Sequence, residues 1–581
     1  MGVKLAKTAG FCMGVRRAVD LVLDIAQHKG KEDIYTYGPL IHNPQTIELL
    51  RTRGIIPVND VDDIDASDKG ATIIIRAHGI SPEERDRIKE KGIKIVDATC
   101  PKVAHVQAII KKHASSNYAV IIIGDREHPE VNGLLGYADG NGFVIGSAED
   151  VENLPLLDKL CVVAQTTQST DAFIDIVEKI KTRFPDAVIF NTICDSTEKR
   201  QSEVKALAAE MDAVYIVGGR NSANTRRLVR ISQLESKPTF HIETADELKD
   251  IPSNRYEKIG ISAGASTPNW IINRVFDAVT SHQDERQKQT KRLFNFWVFA
   301  VKTEIYSAMG AGCLSFAGML LQRLPVNILN ILTTALYVYA MHTLNRLINR
   351  KTSTIIGSFR EESYLKHEHA YVSAAVVSLV MALTISFIAG LNAFILLFLI
   401  SIFGVLYNTR ILPGNLRFKS LKDLPGSKNI FMAMAWAAVV AVLPQIEISL
   451  SFTAGMLVAF LFTFGIVFVR SAISDILDIQ SDRLIGRETI PVLIGKKSTQ
   501  ILLQGILVLL VILLSVSHTL GWTSSLSFTL LVCIFFMWIY FRLYVRRAAF
   551  SGVVQEGLLE TSYIIAGITS LVWLCLTTYL G

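Results

Sequence analysis

The sequence predicts an α/β soluble half made of three pseudo-repeated lobes, followed by an all-α polytopic membrane half of nine helices. Three observations predict it. The first is an uneven apolar balance: 581 residues carry 50% hydrophobic residues, and the mean hydropathy is +0.34. That is too apolar for a wholly soluble chain of this length. The excess lies in residues 303–580, while residues 1 to about 285 read as ordinary α/β sequence. The second is alternation of short apolar runs with helical periodicity in the first half. The third is a strand–cysteine–helix turn that recurs. Together these set a soluble unit at 1–280, with lobes at about 1–97, 98–190 and 191–280. A polar linker at 281–300 then leads to a membrane unit at 301–581.

The recurring turn is clearest at Asp97-Ala98-Thr99-Cys100-Pro101-Lys102. An apolar run, Ile93 to Val96, precedes it. Val103, Val106, Ile109 and Ile110 follow at helical spacing, with Pro101 suited to the first helical position. Cys12 precedes Val15, Ala18, Val19, Val22 and Leu23 at the same spacing, and Cys194 follows Ala187 to Phe190 and precedes Val204, Leu207 and Ala208. The intervals of 88 and 94 residues match the size of a small α/β unit. A helix N-terminus favours a thiolate over a thiol. Three such thiolates meeting at one centre suit an iron–sulfur cluster with one iron left open. The other soluble cysteine, Cys161, precedes Val162-Val163-Ala164 and reads as a small core residue. With three more cysteines in apolar spans (Cys313, Cys533, Cys575), nothing resembles a disulfide framework, so a reducing compartment is expected.

Core strands are expected at 73–75, 93–96, 119–123, 160–164, 187–190, 214–217 and 259–261. Polar motifs fall just past strand ends, where open α/β sheets bind ligands. His42 lies in Gly38-Pro39-Leu40-Ile41-His42-Asn43-Pro44, and His78 in Arg76-Ala77-His78-Gly79. His128 and Glu130 share Glu127-His128-Pro129-Glu130, and Ser222 and Asn224 lie in Gly218-Gly219-Arg220-Asn221-Ser222-Ala223-Asn224-Thr225. Imidazoles, hydroxyls and backbone N–H groups in such turns make an anion pocket able to hold a diphosphate without metal. No GxxxxGK[ST] phosphate loop competes with this reading. The net charge of +6 gathers beside the membrane and gives no reason to expect nucleic acid. Met1 to Gly10 lacks the apolar core of a signal peptide.

These turns, with Ala77-His78-Gly79, Gln165-Thr166-Thr167 and Ala263-Gly264-Ala265-Ser266-Thr267-Pro268, resemble the IspH (LytB) family over residues 1 to about 280. That resemblance implies a 4-hydroxy-3-methylbut-2-enyl diphosphate reductase, making isopentenyl and dimethylallyl diphosphate. It implies a [4Fe–4S] cluster on Cys12, Cys100 and Cys194. It implies substrate contacts from His42, His78, His128, Thr166, Ser222, Ala223, Asn224 and Ser266, and a proton delivered by Glu130. Ala223 stands where many members carry a second serine, which leaves only the backbone N–H there. An external electron donor such as ferredoxin or flavodoxin is expected.

Nine spans are expected at about 304–322, 327–345, 370–389, 391–408, 430–446, 452–473, 500–517, 524–545 and 559–579. Basic residues crowd alternate loops, among them Arg350, Lys351, Arg360, Lys366, Lys422, Lys428, Arg483, Arg487, Arg546 and Arg547. The positive-inside rule then sets the reductase half in the cytoplasm of a multi-pass protein in the lipid bilayer. Asp475, Asp478 and Asp482 fall on one helical face at the end of the sixth span and suit Mg²⁺ against a diphosphate. Nine spans with this DxxDxxxDR pattern, Tyr407-Asn408 and Lys422-Asp423-Leu424-Pro425-Gly426 resemble the UbiA family of prenyltransferases. The family's other acidic motif reads Asn345-Arg346-Leu347-Ile348-Asn349-Arg350-Lys351-Thr352-Ser353 here, with every acid replaced. Two rival functions follow from the same residues: a membrane prenyltransferase as the main activity, and an iron–sulfur redox sensor tethered to the membrane.

Overall fold

Short runs of β-branched residues set the sheets. The computed structural model describes residues 2–28, 34–64, 71–251, 255–286, 292–348, 367–407, 409, 421–485, 487–545 and 552–580. It divides into two units, Met1–Arg286 and Gln287–Gly581.

The first unit has twelve strands: β1 (Gly2–Leu5), β2 (Ile34–Tyr37), β3 (Ile55–Val58), β4 (Thr72–Ile75), β5 (Lys94–Asp97), β6 (Ala119–Ile123), β7 (Gly142–Ile145), β8 (Leu160–Ala164), β9 (Val188–Ile189), β10 (Ala213–Val217), β11 (Thr239–Ile242) and β12 (Lys258–Ala263). They form three parallel sheets of four strands, in the orders β3-β2-β4-β5, β7-β6-β8-β9 and β11-β10-β12-β1. The three orders are the same order. In the third sheet the fourth place is taken by β1, which pairs Gly2 with Lys258 and Leu5 with Ile261. This corrects the expected first lobe at 1–97: its opening strand belongs to the lobe formed by the end of the unit.

β6 and β8 are buried along their whole length, as central strands covered on both faces must be. Ile121, Ile123, Val162 and Ala164 pack on Phe173, Ile176 and Ile180 on one face. Val120, Ile122, Cys161 and Val163 pack on Val103, Val106 and Ile110 on the other. Cys161 is thus a core side chain, and burial pushes its thiol up to about 12.

The second unit is helical. Six of its helices are long and apolar enough to cross a membrane: Glu368–Ala389, Ser427–Ile448, Ala454–Ile485, Lys496–Thr519, Leu526–Leu543 and Gly552–Thr578. Counting Leu293–Lys302 and Ile305–Leu321, which meet at 86°, as one broken span gives seven. The expected count of nine is therefore not reached on length and composition among the described residues. Leu391–Tyr407 is too short, and Ile328–Ile348 carries buried Asn330, Thr333, Thr334 and Thr343. In Ser427–Ile448 a π-helical turn, Ala438–Val442, sits just before Pro444, whose missing N–H cannot continue the α-helical ladder. Expected basic loop residues Arg350, Lys351, Arg360, Lys366, Arg546 and Arg547 lie outside the described residues.

Candidate functional site

The matched sheet orders put the three cysteine turns at equivalent places, each after the fourth strand of a sheet. β5 leads through Cys100 into α4 (Pro101–Ala114), and β9 leads through Cys194 into α7 (Asp195–Glu210). β1 leads through Cys12 into α1 (Met13–His28). Each cysteine backbone N–H is fixed to a carbonyl just past the neighbouring third strand. Cys12 donates to Ala265 at 3.1 Å, Cys100 to Ala77 at 2.9 Å and Cys194 to Thr166 at 2.9 Å. Cys100 and Cys194 occupy helix N-cap positions, and the Cys194 sulfur lies 3.2 Å from the Ser196 hydroxyl in the first turn of its own helix.

All three cysteines are free thiols and line one cavity, which encloses about 730 Å³ of empty space, its open mouth included. Its wall also carries every residue expected to touch substrate: His42, His78, His128, Glu130, Thr166, Ser222, Ala223, Asn224 and Ser266. Helix-terminal thiolate stabilisation does not dominate at Cys100. Burial raises its thiol most, the N–H groups of Lys102 and Val103 oppose that, and the other two sulfurs add to the rise. Cys12 is followed closely by Gly14, where a Cβ would stand 2.5 Å from the Cys100 sulfur. Gly14→Ala is accordingly expected to yield folded protein with a lost or labile metal centre, read by visible absorbance. Wild-type absorbance in that variant would mean the sulfurs need not approach there.

At the other end of the cavity, the rings of His42 and His78 lie 4.7 Å apart, His42 and His128 5.6 Å, and His78 and His128 5.3 Å. One ring nitrogen from each lies within 4.8 Å of the others. Burial, then neighbouring cations, lowers the proton affinity of His42, with Arg76 and Arg226 the cations concerned. Burial also lowers His78 strongly and holds His128 down to about 3. Three uncharged imidazoles are what such crowding demands in the absence of an anion. His42 Nε2, His78 Nδ1 and Asn224 Nδ2 are buried with no hydrogen-bond partner among the described residues. Such orphaned groups are costly unless a ligand completes them.

Local sequence sets each of these side chains. His128 caps α5 (Pro129–Leu135), its Nδ1 accepting the Glu130 N–H at 3.1 Å. Ser222 caps α8 (Ala223–Leu234), its hydroxyl accepting the Thr225 N–H at 3.4 Å. Ser266 donates its hydroxyl to the His42 carbonyl at 3.2 Å. Glu130 is 1% exposed. Its two oxygens accept the Thr166 N–H at 2.7 Å and the Thr166 hydroxyl at 2.9 Å. Burial raises its proton affinity, and Thr166 and the Arg227 cation pull the other way. Sequence reasoning missed Lys102, Thr167, Ser196 and Thr197 on the cavity wall. The Gln165-Thr166-Thr167 run and the turn after Cys194 were the available signals.

In the second unit, Asp475, Asp478 and Asp482 share the helix Ala454–Ile485, and they do not converge as a metal cluster among the described residues. Asp475 is buried, accepting from Lys428 Nζ at 2.7 Å and Asn429 Nδ2 at 2.8 Å. Asp482 lies 3.8 Å from Arg487, and Asp478 is exposed. Of the altered acidic motif, residues 349–353 lie outside the described residues. Arg346 turns inward to Glu304, a carboxylate that also accepts from Ser307 at 3.0 Å.

Residues 3–280 match the family model described as LytB protein, and residues 305–551 match the UbiA prenyltransferase family. A 4-hydroxy-3-methylbut-2-enyl diphosphate reductase of Geobacter sp. (strain M21) is 43% identical over 281 residues, covering 48% of this chain and 98% of the relative. One from Clostridium tetani (strain Massachusetts / E88) is 42% identical over 272 residues, covering 47% of this chain and 42% of the relative. A solved E-1-hydroxy-2-methyl-but-2-enyl-4-diphosphate reductase from Plasmodium falciparum is 30% identical, covering 47% of this chain and 86% of that one, with a TM-score of 0.46.

Proposed function

Through residues 3–280 the chain belongs to the LytB protein family, and from that membership we propose that the first unit reduces 4-hydroxy-3-methylbut-2-enyl diphosphate to isopentenyl and dimethylallyl diphosphate. The observation that carries this reading is the single cavity shared by three free cysteines, three imidazoles and a buried carboxyl group. Cys12, Cys100 and Cys194 are soft donors of the right kind for a [4Fe–4S] cluster, and the space beside Gly14 fits their approach. When bound, the cluster supplies single electrons and a Lewis-acidic iron not held by protein.

The chain's own residues do the rest. His42, His78, Asn224 and the N-terminus of α8 at Ser222 and Ala223 receive the diphosphate, whose charge meets the orphaned donors. Because the imidazoles are held neutral by burial and by one another, an arriving dianion favours their protonation. Binding energy gathered there positions the five-carbon skeleton toward the cysteines. Loss of the allylic hydroxyl as water takes two electrons and two protons in all, one proton going to the departing oxygen and one to carbon. Glu130, oriented through both oxygens by Thr166, carries the proton for the oxygen. Ferredoxin or flavodoxin would supply the electrons. Calorimetric titration of the anaerobic full chain tests the binding half of this reading. The allylic diphosphate should saturate one site and inorganic diphosphate should compete, whereas no binding of either would overturn it.

The second unit is read as a nine-helix UbiA-type prenyltransferase unit with altered phosphate handling, the first unit lying on the cytoplasmic side. Asp475 and Asp482 already hold Lys428 and Arg487, so cations of the protein stand where metal alone would be expected. The two activities are separated by chain elongation, so direct transfer of product between them is not expected. Binding of a long-chain prenyl diphosphate to the full chain should depend on Mg²⁺ and fall in Asp475→Asn/Asp478→Asn. No binding in either protein sinks the transferase reading.

A further inference from the structure

Glu130 is held by Thr166, and Thr166 sits in a turn that is itself held from another lobe. The fork of Arg227, on α8, reaches the turn after β8 on both sides of Thr166. Its Nη1 donates to the Thr167 hydroxyl at 3.1 Å and its Nη2 to Gln165 Oε1 at 3.3 Å. The same Nη2 lies 2.9 Å from Asp125 Oδ1. Gln165 Oε1 also accepts the Asp125 N–H at 3.0 Å, which ties the turns after β6 and β8 together. Gly124 permits this closeness, since a Cβ there would stand 2.9 Å from the Gln165 Cβ. The Arg227 side chain is 12% exposed, so the fork is fixed rather than solvated.

We propose that Arg227 is a positioning residue for Glu130, clamping the Gln165-Thr166-Thr167 turn to the helix whose N-terminus takes the diphosphate. The proposal rests on the reading of Glu130 as the proton donor. One side chain then couples the two ends of the cavity. Ser222, Ala223 and Asn224 open α8, and Arg227 lies just over one turn further along. A helix displaced at its diphosphate end would pull the turn that orients the acid. Arg227 also acts through charge. The groups facing Glu130 are the two Thr166 donors, the Arg227 cation and the Asp125 carboxylate, with His128 accepting its N–H. The cation lowers the proton affinity of the carboxyl group and Asp125 raises it. An acid works protonated, so activity falls on the alkaline limb of the kcat profile, and that limb follows the carboxyl group.

The test uses the anaerobic full chain with its cluster assembled, whose absorbance reports folding. Arg227→Met should lower kcat on the order of tenfold or more with KM within about twofold, and move the alkaline limb to higher pH. Arg227→Lys keeps the charge without the fork, so it should stay slow with the wild-type limb. Asp125→Asn, at a half-exposed position, should move the limb to lower pH. Wild-type kcat and limb in Arg227→Met, or a raised KM with kcat intact, overturns the proposal. Should Arg227→Met fail to assemble a cluster, an unmoved limb in Asp125→Asn overturns it instead. A wild-type chain without turnover, or an unimpaired Glu130→Gln, overturns the underlying reading and the proposal with it.

Discussion

Cys12→Ser, Cys100→Ser and Cys194→Ser each abolish the brown cluster absorbance or leave it labile to dilution, while Cys161→Ser keeps it. The expectation follows from where the four sulfurs lie. The first three come from one turn in each lobe, and each turn is fixed by its cysteine N–H to a carbonyl at 2.9–3.1 Å. Removing one sulfur leaves two, too few to retain a four-iron cluster firmly. Cys161 is fully buried in a core cluster with Val120, Ile122 and Val163 and does not line the cavity that holds the other three sulfurs. Serine there buries an unpaired hydroxyl, at a cost of about 1–3 kcal/mol, which a chain of this size tolerates. Retention of the cluster in any of the first three, with loss in Cys161→Ser, would refute the ligand assignment.

Glu130→Gln keeps cluster and substrate binding and loses turnover by on the order of 10²-fold or more. The amide can still accept from Thr166 through one oxygen, so the turn keeps its shape, yet it has no proton to give. Stability moves the other way. Folding raises the proton affinity of Glu130, so ionising it costs the folded chain stability as pH climbs above the ordinary carboxylate range. That cost grows up to the raised folded-state value and stays level beyond it. Glutamine removes it, and the variant should melt no lower than wild type at neutral pH. Near-normal turnover would take Glu130 out of the proton path.

Much of the reductase unit was legible in the sequence because its signals are local. The expected strands at 119–123 and 160–164 are apolar throughout, as β6 and β8 require. A helix start after Cys100 is written in Pro101 and the spacing of Val103, Val106 and Ile110. Five strands were missed: β1, β2, β3, β7 and β11, each only four residues long. Their place is fixed by pairing rather than by their own pattern, and β1 finds its partner about 250 residues away. The membrane aspartates were legible only in part. Helical spacing correctly set Asp475, Asp478 and Asp482 on one helix, but Lys428 and Asn429 reach Asp475 from another helix. A one-dimensional pattern shows which groups share a face and not which partners that face meets. The same limit hid the Arg227 clamp, whose partners lie some 60 to 100 residues upstream.

If the first unit is a reductase, the cavity that joins three cysteine sulfurs to three imidazoles and a buried carboxyl group is where 4-hydroxy-3-methylbut-2-enyl diphosphate is reduced. Turnover tests it most directly: the purified full chain, held anaerobic with its cluster and a strong one-electron donor, is given 4-hydroxy-3-methylbut-2-enyl diphosphate. The expected products are isopentenyl and dimethylallyl diphosphate, with two electrons consumed per molecule formed and no product from Cys100→Ser. A fully clustered wild-type chain that binds the substrate and returns it unchanged would contradict it.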